Sequence, residues 1–274
     1  MSAASLTPVP VIVTRPAHDA DRWVQALQAR GLRAEALPLI EIAALPTSQD
    51  LQQVWQGIGA YAALMFVSGN AVEAFFASNQ AAALISRAQA AINLIADQMP
   101  RFLAPGPGTV AALRLAGVPE SLIDAPATDA GQFDSEALWA VVGARNWQGL
   151  QVLIVRGQSA GSGEPAGAGR DWLAQQLQAA GARVDTVAVY QRRKPVFNAA
   201  QLLRIEAAAN DGSVWLLSSS EALANLPPGD WSRARAVATH PRIAEAARAA
   251  GWGVVVQSRP ELADIVASIE SMSP

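Results

Sequence analysis

Polar side chains follow the predicted strands of this sequence at the points where helices are expected to begin. In open α/β sheets, ligands bind outside the carboxyl ends of the strands, where N–H groups of the following helices point outward. Any one of these residues alone could simply cap a helix. Because all the turns are polar, we expect them to line a binding cleft. The residues are Thr14, Arg15, Ser68, Asn70, Thr109, Arg156, Ser218, Ser219, Thr239 and His240.

Tyr190 is the candidate proton donor of that cleft. It ends an extended run, Val-Ala-Val-Tyr, at residues 187–190, which corresponds to an earlier crossing segment near residues 37–40. A phenol is protonated at neutral pH and can donate a hydrogen bond to a departing hydroxyl group. The alternative is a tyrosine that only packs.

Other catalytic chemistries are excluded or weak. The sequence has no cysteine, which excludes disulfide scaffolds, thiolate metal sites and cysteine nucleophiles. His18 and His240 are its two histidines, so a metal site would need mostly carboxylates. Lys194 is the only lysine, and no Gly-x-Ser-x-Gly motif occurs. The residues therefore predict neither a metal site nor a serine hydrolase.

A glycine-rich turn at residues 106–111 leaves a nucleotide site open as an alternative. It fits the pattern G-x-G-x-x-A, and Asp124 lies about where a ribose-binding acid is expected. Pro107 removes one N–H donor, however, and the corresponding turn at residues 239–242 has no glycine. The signal is weak.

Length and charge narrow the class of protein. At 274 residues the chain is long enough for two domains. Its 23 acidic and 20 basic residues give a net charge of −3, which argues against a nucleic-acid-binding face. No signal peptide and no 18-residue apolar segment is evident. These features predict a cytoplasmic protein that does not bind membranes.

Strand, turn and helix patterns repeat along the chain and predict an α/β fold. Short apolar runs at residues 9–14, 62–67, 101–104 and 152–155 each lead into a small polar turn. Helical patterns follow, the first over residues 17–30, where Trp23 is interpreted as a core residue. Alternation of this kind is typical of parallel sheets with crossover helices.

The chain also matches itself. Residues 25–33 and 175–183 share six of nine positions, and residues 101–118 and 235–252 share seven of eighteen. We therefore predict an internal duplication with two facing lobes. Between the copies, residues 158–169 lack apolar bulk and are predicted to be a flexible insertion.

Eight short motifs follow one another along the chain. They lie at residues 13–16 (Val-Thr-Arg-Pro), 66–72 (Phe-Val-Ser-Gly-Asn-Ala-Val), 106–113, 134–138 (Asp-Ser-Glu-Ala-Leu), 153–157 (Leu-Ile-Val-Arg-Gly), 184–192 around Tyr190, 217–221 (Leu-Ser-Ser-Ser-Glu) and 239–244 (Thr-His-Pro-Arg-Ile-Ala). Each motif alone is modest, but in this order they resemble those of uroporphyrinogen-III synthases, and the resemblance covers residues 11–268.

The resemblance implies a fold and a reaction. The fold would be two flavodoxin-like lobes joined by a two-stranded β ladder. The first lobe would be discontinuous, with residues 1–40 and 190–274, and the second would hold residues 41–189. The enzyme would be a cyclising lyase without a cofactor. It would remove the ring-A hydroxyl of hydroxymethylbilane as water and close the ring with ring D inverted.

The resemblance also implies roles for the polar residues. Tyr190 would donate to the leaving hydroxyl, and helix N-termini would hold the substrate's carboxylates without many cations. The protein is expected to be a monomer with a transient contact to the preceding pathway enzyme. The remaining alternatives are a nucleotide-dependent transferase and a non-catalytic tetrapyrrole-binding protein. The substrate-binding residues would be Thr14, Arg15, Ser68, Asn70, Thr109, Arg156, Ser219 and Thr239.

Overall fold

The structure, a computed structural model, describes residues 9–77, 99–159 and 168–272. The chain divides into two compact units. Unit 1 contains Met1–Glu41 together with Arg193–Pro274, and unit 2 contains Ile42–Arg192. The chain therefore leaves unit 1 once and returns to it once.

Strands and helices alternate along most of the described chain. The strands are β1 (Pro10–Val13), β2 (Arg33–Ala36), β3 (Glu41–Ala44), β4 (Tyr61–Phe66), β5 (Arg101–Leu103), β6 (Ile123–Asp124), β7 (Gln151–Ser159), β8 (Arg183–Arg193), β9 (Val214–Leu217), β10 (Arg235–Ala238) and β11 (Val254–Gln257). The helices are α1 (Ala17–Gln28), α2 (Gln49–Gln56), α3 (Gly69–Phe76), α4 (Pro107–Leu115), α5 (Ser135–Val142), α6 (Ala168–Ala179), α7 (Ala199–Ala208), α8 (Ser220–Ala224), α9 (Pro241–Ala249) and α10 (Leu262–Ser271).

Each unit is built on its own sheet. In unit 1 the strand order is β11-β10-β9-β1-β2, and all neighbours are parallel. In unit 2 the order is β3-β8-β7-β4-β5-β6, with parallel pairing from β8 through β6. The predicted α/β class with two parallel-sheet lobes is confirmed. The internal duplication stays a prediction.

The chain crosses from one unit to the other at two points, and the strands at these two points, β3 and β8, are neighbours. β3 begins at Glu41, β8 ends at Arg193, and the two strands lie side by side at the edge of the unit 2 sheet. The crossing segment predicted near residues 37–40 contains Pro38 and lies between the end of β2 and the start of β3. Proline has no N–H to donate to a ladder, so a break at this position is expected.

Both ends of the predicted flexible insertion, residues 158–169, belong to regular secondary structure. Gln158 and Ser159 belong to β7 and pair with Gln191 and Arg192 of β8. Helix α6 already begins at Ala168. At the β7 edge a neighbouring strand supplies hydrogen-bond partners that composition does not reveal. The flexibility of the insertion stays a prediction. Residues 160–167 lie outside the described residues.

The unit 2 core lies on both faces of its sheet. On one face Phe66, Phe75 and Phe102 are fully buried, and the rings of Phe66 and Phe102 stack with 6.3 Å between centroids. On the other face Met65 and Leu138 are buried. Burial on both faces is typical of parallel sheets covered by helices.

The unit 1 core combines aliphatic and tryptophan packing. Val11, Leu27 and Leu216 are fully buried in one cluster. The rings of Trp231 and Trp252 stack with 5.1 Å between centroids, and the Trp215 ring meets both edge-on. These contacts fix the strands whose ends carry the polar residues of unit 1.

An ion cluster closes the outer edge of the unit 2 sheet. Asp124 accepts two hydrogen bonds from Arg101, at 2.9 and 2.7 Å, and two from Arg145, at 2.6 and 2.7 Å. Burial raises the pKa of Asp124, but the hydrogen bonds from Arg145 and Arg101 outweigh that effect and lower it to about 2. The cluster ties β5, β6 and the segment after α5 together.

Asp124 is expected to stabilise the protein above pH 4 and to lose that effect as pH falls to 2. Its folded pKa of about 2 lies below the ordinary value of 3.8, so protonation favours unfolding. The difference corresponds to about 2 kcal/mol. Urea denaturation at pH 5, 4, 3 and 2 measures it, with Asp124→Asn as the reference. The stability gap between the two proteins should narrow by that amount on acidification, and a constant gap contradicts the prediction.

Candidate functional site

The predicted site residues of unit 2 lie along one edge of its sheet. Ser68 and Asn70 follow β4, Thr109 follows β5, and Arg156 and Tyr190 lie towards the ends of β7 and β8. These four strands are consecutive in the order β8-β7-β4-β5. Because they are parallel, their carboxyl ends meet at the same edge.

Tyr190 and Ser68 are in direct contact. The Tyr190 hydroxyl lies 3.2 Å from the Ser68 Oγ, and either atom can be the donor. Tyr190 is buried, with 3% of its surface exposed. The Ser68 Oγ also accepts the N–H of Ala71 at 3.3 Å and so caps α3. Ser68 therefore caps α3 and also contacts Tyr190, and its role in a binding site stays a prediction.

The N-termini of α3 and α4 lie side by side at this edge. A Cβ built on Gly69 would lie in van der Waals contact with the carbonyl oxygen of Gly108, at 3.4 Å, so the two helix starts are close together. Asn70 is half-buried in the first turn of α3, and Thr109 is buried in the first turn of α4. Two helix N-termini close together create positive potential at one place.

Arg156 has an acidic neighbour that sequence reasoning did not identify. Its Nη1 lies 3.6 Å from Oδ1 of Asp171 in α6, and both side chains are partly exposed. A pair of this length and exposure contributes little to stability. The guanidinium can therefore exchange this partner for a ligand carboxylate at small cost.

The predicted site residues of unit 1 also lie along one sheet edge. Thr14 follows β1, Ser219 follows β9 and Thr239 follows β10, and these strands are neighbours in the order β10-β9-β1. Thr14 donates its hydroxyl hydrogen to the Leu216 carbonyl at 2.6 Å. Thr14 and Thr239 are buried. The hydroxyl of Thr14 thus holds two strands together.

Arg15 is held by two side chains of α1. Its Nη1 donates to Oδ2 of Asp19 at 2.9 Å, and its guanidinium carbon lies 4.6 Å from the Trp23 ring centroid. Trp23 is half-buried against the unit 1 core, so it packs and also carries Arg15. The spacing of four residues between Arg15 and Asp19 is the sequence signal for this pair.

Two further residues of the predicted set cap helices. The Ser219 Oγ accepts the N–H of Ala222 at 3.3 Å, and His240 Nδ1 accepts the N–H of Arg242 at 3.1 Å. Capping uses an acceptor and leaves the serine hydroxyl hydrogen available for another partner.

The nucleotide alternative loses its acidic residue. Both carboxylate oxygens of Asp124 are engaged by Arg101 and Arg145, so they are not available to a ribose. A Cβ at Gly106 would lie 3.3 Å from the Phe133 Cβ, so this glycine is explained by packing. Asp124 is a structural residue.

Metal and membrane features are absent from the described ranges. Among residues 9–77, 99–159 and 168–272, no cluster of three or more His, Asp or Glu has the arrangement of a metal site. Across the same ranges, none of the helices combines the length and the apolar character that crossing a membrane requires.

Comparisons with known proteins agree on one family. The family model described as Uroporphyrinogen-III synthase HemD matches residues 21–267. A mutant uroporphyrinogen III synthase from the extremely thermophilic bacterium Thermus thermophilus has a similar fold, with a TM-score of 0.53, 16% identity, and coverage of 96% of this chain and 98% of that one. The uroporphyrinogen-III synthetase of Helicobacter pylori also has a similar fold, with a TM-score of 0.55 and 14% sequence identity. The match covers 97% of this chain and 100% of that one. Given the match over residues 21–267, the chain belongs to the uroporphyrinogen-III synthase family.

Proposed function

We propose that this chain is a cyclising lyase that converts hydroxymethylbilane to uroporphyrinogen III. The observation that carries the proposal is the contact between Tyr190 and Ser68, at the carboxyl-end edge of a parallel sheet and within the matched family range. A phenol held at this edge is placed where ligands of α/β sheets bind. Neither a nucleotide site nor a metal site is supported by the described residues.

A hydrogen-bond donor near the ring-A hydroxyl group assists the first step of the reaction. The C–O bond of the ring-A hydroxymethyl group breaks, and its oxygen leaves as water. The remaining cation is attacked by the substituted carbon of ring D, and a spirocyclic intermediate fragments and recloses with ring D inverted. Tyr190 donates to the departing oxygen, which assists the first step. Loss of water takes up one proton. Ring D releases one proton when it becomes an aromatic pyrrole again after ring closure, so the protons balance.

The substrate's carboxylates need local donors, because the protein is net negative. In unit 2, Asn70 and Thr109 lie in the first turns of α3 and α4, where backbone N–H groups favour anions. The partly exposed guanidinium groups of Arg15 and Arg156 can also bind carboxylates. The proposed set is Thr14, Arg15, Ser68, Asn70, Thr109, Arg156, Ser219 and Thr239.

The test supplies freshly prepared hydroxymethylbilane, oxidises the product and separates type-III from type-I uroporphyrin. Without the protein, closure gives the type-I isomer, so the isomer ratio reports catalysis directly. We expect type III to dominate, in proportion to protein concentration. Formation of type I alone, at the rate of the blank, contradicts the proposal. If the bilane is bound but only type I forms, the protein is a tetrapyrrole-binding protein.

The same proposal includes a cellular setting. We propose that the protein works in the cytoplasm as a monomer and receives the bilane in a transient contact with the enzyme that makes it. A linear substrate that closes without assistance favours such a transfer. Light scattering after size-exclusion chromatography tests the monomer, with a mass near 28.6 kDa expected.

A further inference from the structure

The Tyr190 ring occupies space that a side chain at position 157 would need. Gly157 lies opposite Tyr190 in the register between β7 and β8. A Cβ built on Gly157 would lie 2.3 Å from both Cε2 and Cζ of the Tyr190 ring and 2.8 Å from Cδ2. These separations are far shorter than any carbon–carbon contact.

The conflict falls on the end of the side chain that carries the chemistry. Cζ bears the phenol oxygen, so a methyl group at position 157 displaces the hydroxyl itself. The conflicting atoms belong to a side chain and not to the backbone, so we expect the buried ring, rather than the strand, to shift. The predicted cost is therefore a misplaced hydroxyl in a folded protein. Arg156 pairs with Ala188 and Gly157 pairs with Tyr190, so the register of the β7–β8 ladder changes here and Val189 is an additional residue of β8.

The direction of the hydrogen bond between Ser68 and Tyr190 decides whether the phenol hydrogen is available to a substrate. The Ser68 Oγ already accepts the N–H of Ala71 and has one hydrogen to give. If Tyr190 gave its hydrogen to Ser68, it would have none for a substrate. If Ser68 donates to the phenol oxygen at 3.2 Å, the phenol hydrogen is free for the leaving group.

We propose that Gly157 and Ser68 are positioning residues for Tyr190, Gly157 by leaving room for its ring and Ser68 by donating a hydrogen bond to its oxygen. The inference rests on the proposed function and identifies the residues that position the hydroxyl group of Tyr190. It also gives Ser68 a different role from carboxylate binding, because its single hydrogen is used on Tyr190. Loss of Ser68 should then lower kcat and leave KM unchanged.

The experiment compares Gly157→Ala in the wild-type and Tyr190→Phe backgrounds. We expect Gly157→Ala to lower kcat for type-III formation at least tenfold in the wild-type background, with KM within about twofold. In the Tyr190→Phe background it should change kcat less than about twofold, because no hydroxyl remains to be misplaced. Gly59→Ala is the control, since nothing lies within 4 Å of a Cβ at that position of unit 2.

Ser68 is tested in the same two backgrounds. Ser68→Ala is expected to lower kcat about tenfold with Tyr190 present and less than about twofold with Phe present. Ser68→Thr keeps the hydroxyl and should restore most of the activity. Ser48→Ala is the matched control, because Ser48 caps α2 by accepting the N–H of Leu51 at 3.1 Å. It removes the same kind of cap away from Tyr190.

The outcomes separate the positioning roles from the proposed function. A wild-type protein that forms no type III refutes the function. An active wild type in which the substitutions cost the same in both backgrounds overturns the positioning roles. A raised KM with unchanged kcat for Ser68→Ala returns Ser68 to carboxylate binding. If Gly157→Ala shows no thermal unfolding transition, Gly157 is required for folding, and the positioning role assigned to it is overturned.

Discussion

Replacing Tyr190 with phenylalanine is expected to lower kcat for type-III formation by about 10²–10⁴-fold, the usual contribution of general acid catalysis. The substitution removes one oxygen and keeps the ring that lies against Gly157. KM should stay within about twofold, because the proposed carboxylate contacts are made by other residues. Steady-state rates with fresh bilane, corrected for unassisted closure, measure both constants.

The chain offers a matched control for this substitution. Tyr61 is its only other tyrosine. It lies at the start of β4, away from the carboxyl end, and its hydroxyl donates to Oδ2 of Asp185 at 3.0 Å. Tyr61→Phe should leave kcat unchanged. A loss below about tenfold for Tyr190→Phe would remove Tyr190 as the proton donor and make it a packing residue.

Replacing Phe66 with alanine is expected to destabilise the protein by about 3–5 kcal/mol. Phe66 is fully buried as the last residue of β4. Its ring lies 5.5 Å from that of Phe75 and 5.8 Å from that of Phe76, measured between centroids. The alanine variant loses these contacts and leaves a cavity that a closely packed core fills only in part. Urea denaturation followed by circular dichroism measures the loss.

Phe66→Leu is the reference for that prediction. A swap that keeps most of the apolar volume should cost less than about 1.5 kcal/mol. Equal losses for leucine and alanine would show that the ring contacts, and not the buried volume, determine stability here. Because Phe66 is two residues before Ser68, the alanine variant should also lose activity when its fold is intact.

The sequence predicts several of the strands because these strands carry a local signal. Apolar runs such as the one that became β4 are followed by a turn and a helix, and this order alone implies parallel pairing. The same signal underestimates β7. Gly157, Gln158 and Ser159 have the composition of a loop, yet they pair with β8. Pairing with a distant strand overrides local composition.

The positions of the candidate site residues in the fold could be predicted from the sequence, but their contacts could not. The sequence places Ser68 and Tyr190 at strand ends, whereas their hydrogen bond joins residues 122 positions apart. It depends on the order β8-β7-β4, which no local pattern specifies. Asp124 shows the same limit. Its spacing from the glycine turn favoured a ribose contact, and its real partners, Arg101 and Arg145, come from other segments.

The order of strands in unit 1 has a consequence for synthesis on the ribosome. β1 pairs with β9, so Val11 cannot pair with Val214 until the ribosome has synthesised β9. Chains are made from the amino end at about 5–20 residues per second, so β1 leaves the exit tunnel roughly 10–40 seconds before its partner. During that interval only β2 is available to it, and its other edge is open to pairing with foreign chains. The segment Ile42–Arg192, by contrast, emerges without interruption and can complete its sheet while the carboxyl-terminal strands are still being translated.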